Sequence, residues 1–280
     1  MLCELGPGDE VVMPSFTFVS TANAVVRCGA TPVFVDIRPD TLNLDETQIE
    51  AVLGPRTRAI FPVHYAGVGC EMGRIRELAD KRDLIVVEDA AQAVNASWDG
   101  RPLGSIGHLA AFSFHETKNF SCGEGGALVI NQEQDAPRAH VLYDKGTNRA
   151  AFLEGEMDRY TWVDQGSSFG MSDLLAGFLL GQLEQRSQIM AKRKDVFDQY
   201  HQSLSSLQER LGFQVPVVQE WQEPAYHMFY VLTSDEARRT AVLRELNESS
   251  AEVLVQVGTN LGMCVWGCVP PFGRTAASGW

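Results

Sequence analysis

Between residues 9 and 91 the chain alternates short apolar runs with helical patterns, and this alternation narrows the folds open to it. The runs are "DEVVMP" (9–14), "TPVFVDI" (31–37), "RAIFPVHY" (58–65) and "LIVVEDAA" (84–91). Between them lie "TFVSTANAVVRCG" (17–29), "TLNLDETQIEAVLG" (41–54) and "EMGRIRELADKRD" (71–83), each with helical spacing, cap-type residues or a terminal glycine. The runs are short, β-branched and apolar on both faces, which suits strands of a parallel sheet covered by helices. Strand and helix alternating at this pace predicts an α/β layered fold with right-handed crossovers.

Further along, two more apolar runs, Ala110 to Phe114 and Ala127 to Ile130, read as buried strands. Residues 154–168 are polar, aromatic and irregular. From Ser172 to about Leu211 the helical period returns, which predicts one long helix or two crossing toward a second lobe. Phe229 to Leu232 predicts a strand of that lobe and residues 235–248 a helix. From about residue 249 the pattern degrades into clustered glycine and proline. The expected division is a large domain over 1–185 and a partial small domain over 186–280.

Bulk properties exclude several classes. The 280 residues are 45% apolar, enough to bury a core, and carry a net charge of −13 with no basic stripe. A nucleic-acid or anionic-membrane binder is therefore not expected. No apolar run approaches the ~20 residues of a membrane span, and "MLCELGPGDE" has no signal-peptide core. Six cysteines without C-x-x-C pairs read as reduced thiols of a soluble cytoplasmic protein. No metal is expected: a site from His64, Asp89 and His115 lacks compact ligand spacing.

The chemistry concentrates where strands end. In "LIVVEDAAQ" an apolar strand runs into Glu88 and Asp89, and ligands of open α/β sheets bind outside the carboxyl ends of strands. Gln92 lies one helical turn beyond Asp89. In "AAFSFHETKNFSCGEGGALVIN" (110–131) Lys118 also follows a strand, and Gly123, Gly125 and Gly126 allow a tight turn after it. A lysine shielded from water has a lowered pKa and can form Schiff bases with carbonyls. An amine and a carboxylate at the rim of one sheet are the pair that pyridoxal phosphate needs, one for its aldehyde and one for its ring nitrogen.

These segments resemble a known family. "GDEVVMPSFTFVSTANAV", "VVEDAAQ" and "FSFHETKNFSCGEGGALVIN" are similar to the DegT/DnrJ/EryC-type sugar-nucleotide aminotransferases of pyridoxal phosphate fold type I. "HYAGVGCEM", "KGTNR", "YTWVDQGSSFGMSDL" and "HMFY" resemble its subgroup that makes dTDP-4-amino-4,6-dideoxygalactose. The likeness covers about residues 4 to 246. It implies the fold-type-I large domain with an incomplete small domain, and transfer of an amino group from L-glutamate to C4 of a dTDP-4-keto-6-deoxyhexose. The product would serve cell-surface polysaccharide synthesis.

The resemblance also implies roles. Lys118 forms the Schiff base with the cofactor and then moves the substrate proton. Asp89 holds the ring nitrogen protonated, Gln92 meets the ring substituents, and Phe18 stacks on the ring. Ser113 bonds the phosphate, and Ser168 stands where many relatives use an asparagine of the partner subunit. His64, Tyr65, His115, Asn148 and Arg149 are candidates to touch the substrate. A homodimer with shared active sites is implied. Relatives start further upstream, with a turn and helix that bind the phosphate, and continue past residue 280. The expectation is therefore a truncated copy with weak cofactor affinity; the alternative reading is an inactive remnant that barely binds pyridoxal phosphate.

Overall fold

The computed structural model describes residues 1–248 and the backbone of residues 262–266. In chain order the first elements are β1 (Glu10–Pro14), α1 (Val19–Arg27), β2 (Thr31–Val35), α2 (Ile49–Val52), β3 (Thr57–Ile60), α3 (Met72–Arg82) and β4 (Ile85–Asp89). They are followed by β5 (Ser97–Trp98), β6 (Arg101–Pro102), β7 (Leu109–Ser113), β8 (Gly126–Ile130), α4 (Ala136–Tyr143), α5 (Arg149–Leu153) and α6 (Asp173–Glu184). Then come α7 (Arg186–Ser205), α8 (Gln208–Leu211), β9 (Phe213–Gln214), β10 (Gln222–Glu223), β11 (Phe229–Thr233), α9 (Glu236–Glu248) and β12 (Gly262–Trp266).

The chain divides into two compact units. The first comprises Met1–Arg186 and Val218–Ala225, so a short segment returns to it after the point where a division at residue 186 would end it. Its centre is a six-stranded sheet in the order β2-β1-β3-β4-β7-β8, parallel except for β8, which pairs antiparallel with β7. This is the expected α/β architecture, with one edge strand reversed.

Strand parity explains how both faces are filled, because successive side chains leave a strand on opposite sides. Val12, Ile60 and Val86 pack with Met72, Ile75 and Ala79 of α3. Val11, Met13 and Ala59 pack with Val25 of α1 on the other side. Each fully buried valine, isoleucine or methionine side chain here contributes about 1.5–3 kcal/mol. The edges are less covered: Phe34 on β2 and Leu128 on β8 are exposed.

Two local expectations are corrected. Residues 41–54 form a helix only over Ile49–Val52. Upstream, Leu42 takes φ 63° and donates to the Arg38 carbonyl, while Asp45 Oδ1 accepts from both the Thr47 N–H and its hydroxyl. Aspartate and threonine side chains thus compete with helical backbone bonding. The run over 58–65 is regular strand only as far as Ile60, since Pro62 has no N–H to donate, and it rejoins β4 at a parallel bridge between Val63 and Asp89. The Pro62 carbonyl accepts from the Asp89 N–H, which ties the end of β4 to this segment.

The second unit comprises Ser187–Val217 and Tyr226–Trp280. It contains most of α7, then α8 and α9, and a sheet in the order β12-β11-β9. Phe197 of α7 packs edge-on against Tyr226 and Phe229. The tail carries a strand that its pattern does not announce: the backbone of β12 pairs antiparallel with β11. Its remainder, residues 249–261 and 267–280, lies outside the described residues.

Candidate active site

β1, β3, β4 and β7 run parallel, so their carboxyl ends form one rim of the first unit. Asp89 closes β4, Ser113 closes β7, and Phe18 follows β1 just before α1. Lys118 lies in the turn between β7 and β8, where its N–H donates to the His115 carbonyl at 2.9 Å.

Glu88 and Asp89 diverge by strand parity. Glu88 shares the side of Val86, toward α3, and is fully buried. Its Oε1 accepts from the N–H groups of Ile106 (2.7 Å) and Gly107 (2.5 Å). Its Oε2 accepts from the Gly104 N–H (2.8 Å) and meets His64 Nε2 (2.9 Å). Burial alone pushes this carboxyl up; the hydrogen bond from His64 and the backbone donors outweigh it and hold it below the usual glutamate range. The Cys70 N–H donates to His64 Nδ1 (3.2 Å), so the ring N–H is on Nε2, facing Glu88.

Asp89 faces the opposite side, toward α1. Thr21 donates its hydroxyl to Asp89 Oδ2 at 2.6 Å, and the Ala91 N–H donates to Oδ1 at 3.1 Å. The carboxylate also acts on Lys118. Burial pulls the Lys118 ammonium below its ordinary range, and Asp89 partly opposes that pull. No direct ion pair holds Lys118 among the described residues. The sheet therefore brings together the amine and the acid that the sequence separates by 29 positions.

The other expected residues fall into two groups. Phe18 is 68% exposed, a large apolar ring left open at the rim. Ser113 accepts from the His115 N–H at 3.3 Å, and its own proton is free to turn outward. Gln92 Oε1 accepts from the Ala66 N–H at 2.7 Å, so its amide nitrogen is the end available to a ligand. His115 is half-buried; its Nδ1 accepts from the Thr117 N–H and its Nε2 lies 3.7 Å from Glu124. Ser168 is exposed and forms a backbone bridge with Asp144.

The second group is mostly buried or held by neighbouring side chains and backbone. His64 is fully buried with both ring nitrogens engaged, and Tyr65 is buried with its ring 4.6 Å from that of Phe16. Both are therefore buried side chains just beyond β3, unlike the exposed Phe18 at the same rim. Asn148 is buried too, and its amide spans the Arg159 carbonyl and the Thr161 N–H, which braces the irregular segment. Arg149 is exposed and pairs with Asp144 at 3.5 Å. Sequence reasoning passed over Thr21. The available signal was its place in the first turn of α1, three residues after Phe18.

The chemistry of this donor set fits pyridoxal phosphate. It offers a half-buried amine without an ion-pair partner, a carboxylate whose rotamer is held, an open aromatic ring and a serine hydroxyl at one sheet rim.

A profile of the DegT/DnrJ/EryC1/StrS aminotransferase family matches residues 1–259. The chain is 37% identical over 260 residues to the spore coat polysaccharide biosynthesis protein SpsC of Bacillus subtilis, covering 92% of this chain and 66% of SpsC. It is 41% identical over 207 residues to the GDP-perosamine synthase of Caulobacter vibrioides, covering 74% of this chain and 54% of that enzyme. The chain thus spans two thirds or less of the length of these curated relatives. The structure of NtdA from Bacillus subtilis with bound cofactor PMP superposes with a TM-score of 0.80 at 30% identity, over 91% of this chain and 56% of that one. The chain belongs to the DegT/DnrJ/EryC1/StrS aminotransferase family.

Proposed function

We propose that this chain carries the cofactor-binding core of a pyridoxal-phosphate-dependent sugar-nucleotide aminotransferase. The observation that supports this most directly is that Asp89 closes β4 near enough to the half-buried Lys118 to oppose the effect of burial on its ammonium. When bound, pyridoxal phosphate supplies an aldehyde for an amine and a ring that accepts the electrons released at the carbon bearing nitrogen. Lys118 provides the amine. Burial lowers its pKa and so favours the neutral form; Nζ would hold the cofactor and would move a proton at the substrate carbon. Asp89 would hold the ring N–H and keep that proton in place. Phe18 would cover one ring face, Gln92 would donate from Nε2 toward the ring substituents, and Ser113 would donate to the phosphate.

The substrate we assign is a dTDP-4-keto-6-deoxyhexose aminated at C4, with L-glutamate as donor, in a cytoplasmic step toward cell-surface polysaccharide. The names of SpsC and GDP-perosamine synthase support sugar chemistry and polysaccharide synthesis, and the resemblance of "HYAGVGCEM", "KGTNR" and "HMFY" supports the dTDP sugar. We also assign a second copy of the chain as partner, with Ser168 near the shared site. Exposed Trp162, Leu174 and Phe178 in the first unit supply an apolar surface for it.

A two-stage assay tests the reading. Chain loaded with pyridoxal phosphate should convert L-glutamate to 2-oxoglutarate in one stoichiometric turn. Adding a dTDP-4-keto-6-deoxyhexose should then release the 4-amino sugar nucleotide and restore the starting absorbance. Conversion of glutamate without any effect of the sugar nucleotide would refute the substrate assignment.

A further inference from the structure

We infer that Thr21 is a positioning residue for Asp89, and that Thr17 in turn orients Thr21. The inference rests on the pyridoxal phosphate reading above and assigns to α1 a role in aligning the ring-binding carboxylate.

Three observations carry it. First, an ionised carboxylate only accepts hydrogen bonds, so the 2.6 Å contact between Thr21 Oγ1 and Asp89 Oδ2 must use the Thr21 proton. The contact between Thr17 Oγ1 and Thr21 Oγ1, 2.8 Å, then runs the other way, with Thr17 donating. A directed chain results, from Thr17 to Thr21 to Asp89. Second, a buried helical threonine ordinarily returns its proton to a carbonyl three or four residues back. Thr21 is 6% exposed and instead sends it 68 positions along the sequence. Third, each Asp89 oxygen has its own fixed donor, Thr21 on Oδ2 and Ala91 N–H on Oδ1. The terminal torsion of an aspartate is otherwise broad, and this pair of donors holds the plane of the carboxylate.

The consequence is geometric. The Thr21 N–H also donates to the Phe18 carbonyl, at 3.3 Å, so one turn of helix holds both the residue assigned to the ring face and the residue that orients the acid at the ring edge. Loss of the hydroxyl leaves Asp89 charged but free to swing, and the ring nitrogen loses a fixed acceptor.

The test uses the full chain with pyridoxal phosphate as probe and compares wild type with Thr21→Val, Thr21→Ser and Thr17→Ala. Two quantities are read: the dissociation constant for pyridoxal phosphate, and the pH midpoint of the bound cofactor's absorbance. Removing a hydrogen bond to a charged group should weaken binding about ten- to a hundredfold in Thr21→Val and displace the midpoint. Thr21→Ser should restore both, and Thr17→Ala should weaken binding by roughly two- to tenfold, as loss of a neutral hydrogen bond does. If Thr21→Val unfolds, Thr17→Ala decides: wild-type affinity and midpoint there overturn the inference. Thr21→Val equal to wild type, or Thr21→Ser as impaired as Thr21→Val, overturns it as well. Wild type that takes up no pyridoxal phosphate on Lys118 overturns the cofactor reading and this inference with it. Uptake by wild type beside an unaffected Thr21→Val overturns this inference alone.

Discussion

Lys118 lies within the field of Asp89, and the two influences on its ammonium oppose each other: burial lowers its pKa and the carboxylate raises it. Removing the carboxylate should therefore lower the pKa further. Competitive acylation of the ligand-free chain across pH reads this at Lys118 by peptide mapping. We expect its reactivity in wild type to rise at lower pH than that of exposed lysines, and at lower pH still in Asp89→Asn. An unchanged profile in Asp89→Asn would show that the two groups do not interact.

The same lowered pKa has a signature in stability. Between the folded pKa of Lys118 and the ordinary lysine value of about 10.4, the unfolded chain binds more protons than the folded one. Stability therefore gains from this group as pH rises through that window, and the cost of holding the amine is fully present below it. Lys118→Met should raise the melting temperature at neutral pH, by a margin that shrinks as pH approaches 10. A constant margin across pH would mean that the gain comes from packing alone.

Glu88 presents the opposite case. Its folded pKa is depressed, so its contribution is present above the ordinary glutamate value and fades as pH falls through the folded one. Glu88→Gln turns one acceptor into a donor facing the backbone donors of residues 104–107 and His64. We expect a loss of about 3 kcal/mol in urea denaturation at pH 7, narrowing in acid. A loss under about 0.5 kcal/mol, the size of an ordinary surface substitution, would contradict the account of its pocket.

What the sequence disclosed follows the same physics. Apolar runs and their flanking glycines placed β1, β2, β4, β7 and α3 to within a few residues, because period and turn chemistry are local properties. Asp89 and Lys118 stood out because one charged residue ends an apolar strand and the other follows one closely. His64 and Tyr65 also follow an apolar strand, yet both are buried. A residue at a strand end faces either the rim or the core, and the partners that decide it, Glu88 and Phe16, lie elsewhere in sequence. Asn148 and the shortened helix before Ile49 were illegible because side-chain bonds to backbone groups, rather than any periodic pattern, determine them.

Asn119, next to Lys118, is buried and donates to the Ala225 carbonyl at 2.6 Å. The returning segment 218–225 thereby anchors the lysine turn. Asn119→Ala should leave that carbonyl unpaired and destabilise the first unit by roughly 1–3 kcal/mol. Hydrogen exchange should rise in residues 115–125 before it rises in β4. Uniform exchange across both would argue against a local anchor.

The central claim is that Lys118 and Asp89 converge on one cofactor, and its most direct measurement is a trapping experiment on the full chain. Pyridoxal phosphate is added, the mixture is reduced with borohydride, and the modified lysine is located by peptide mapping. The account predicts the label on Lys118, strongly reduced in Asp89→Asn and absent in Lys118→Met. Label spread over surface lysines such as Lys81 and Lys194, with Lys118 unmodified, would contradict it.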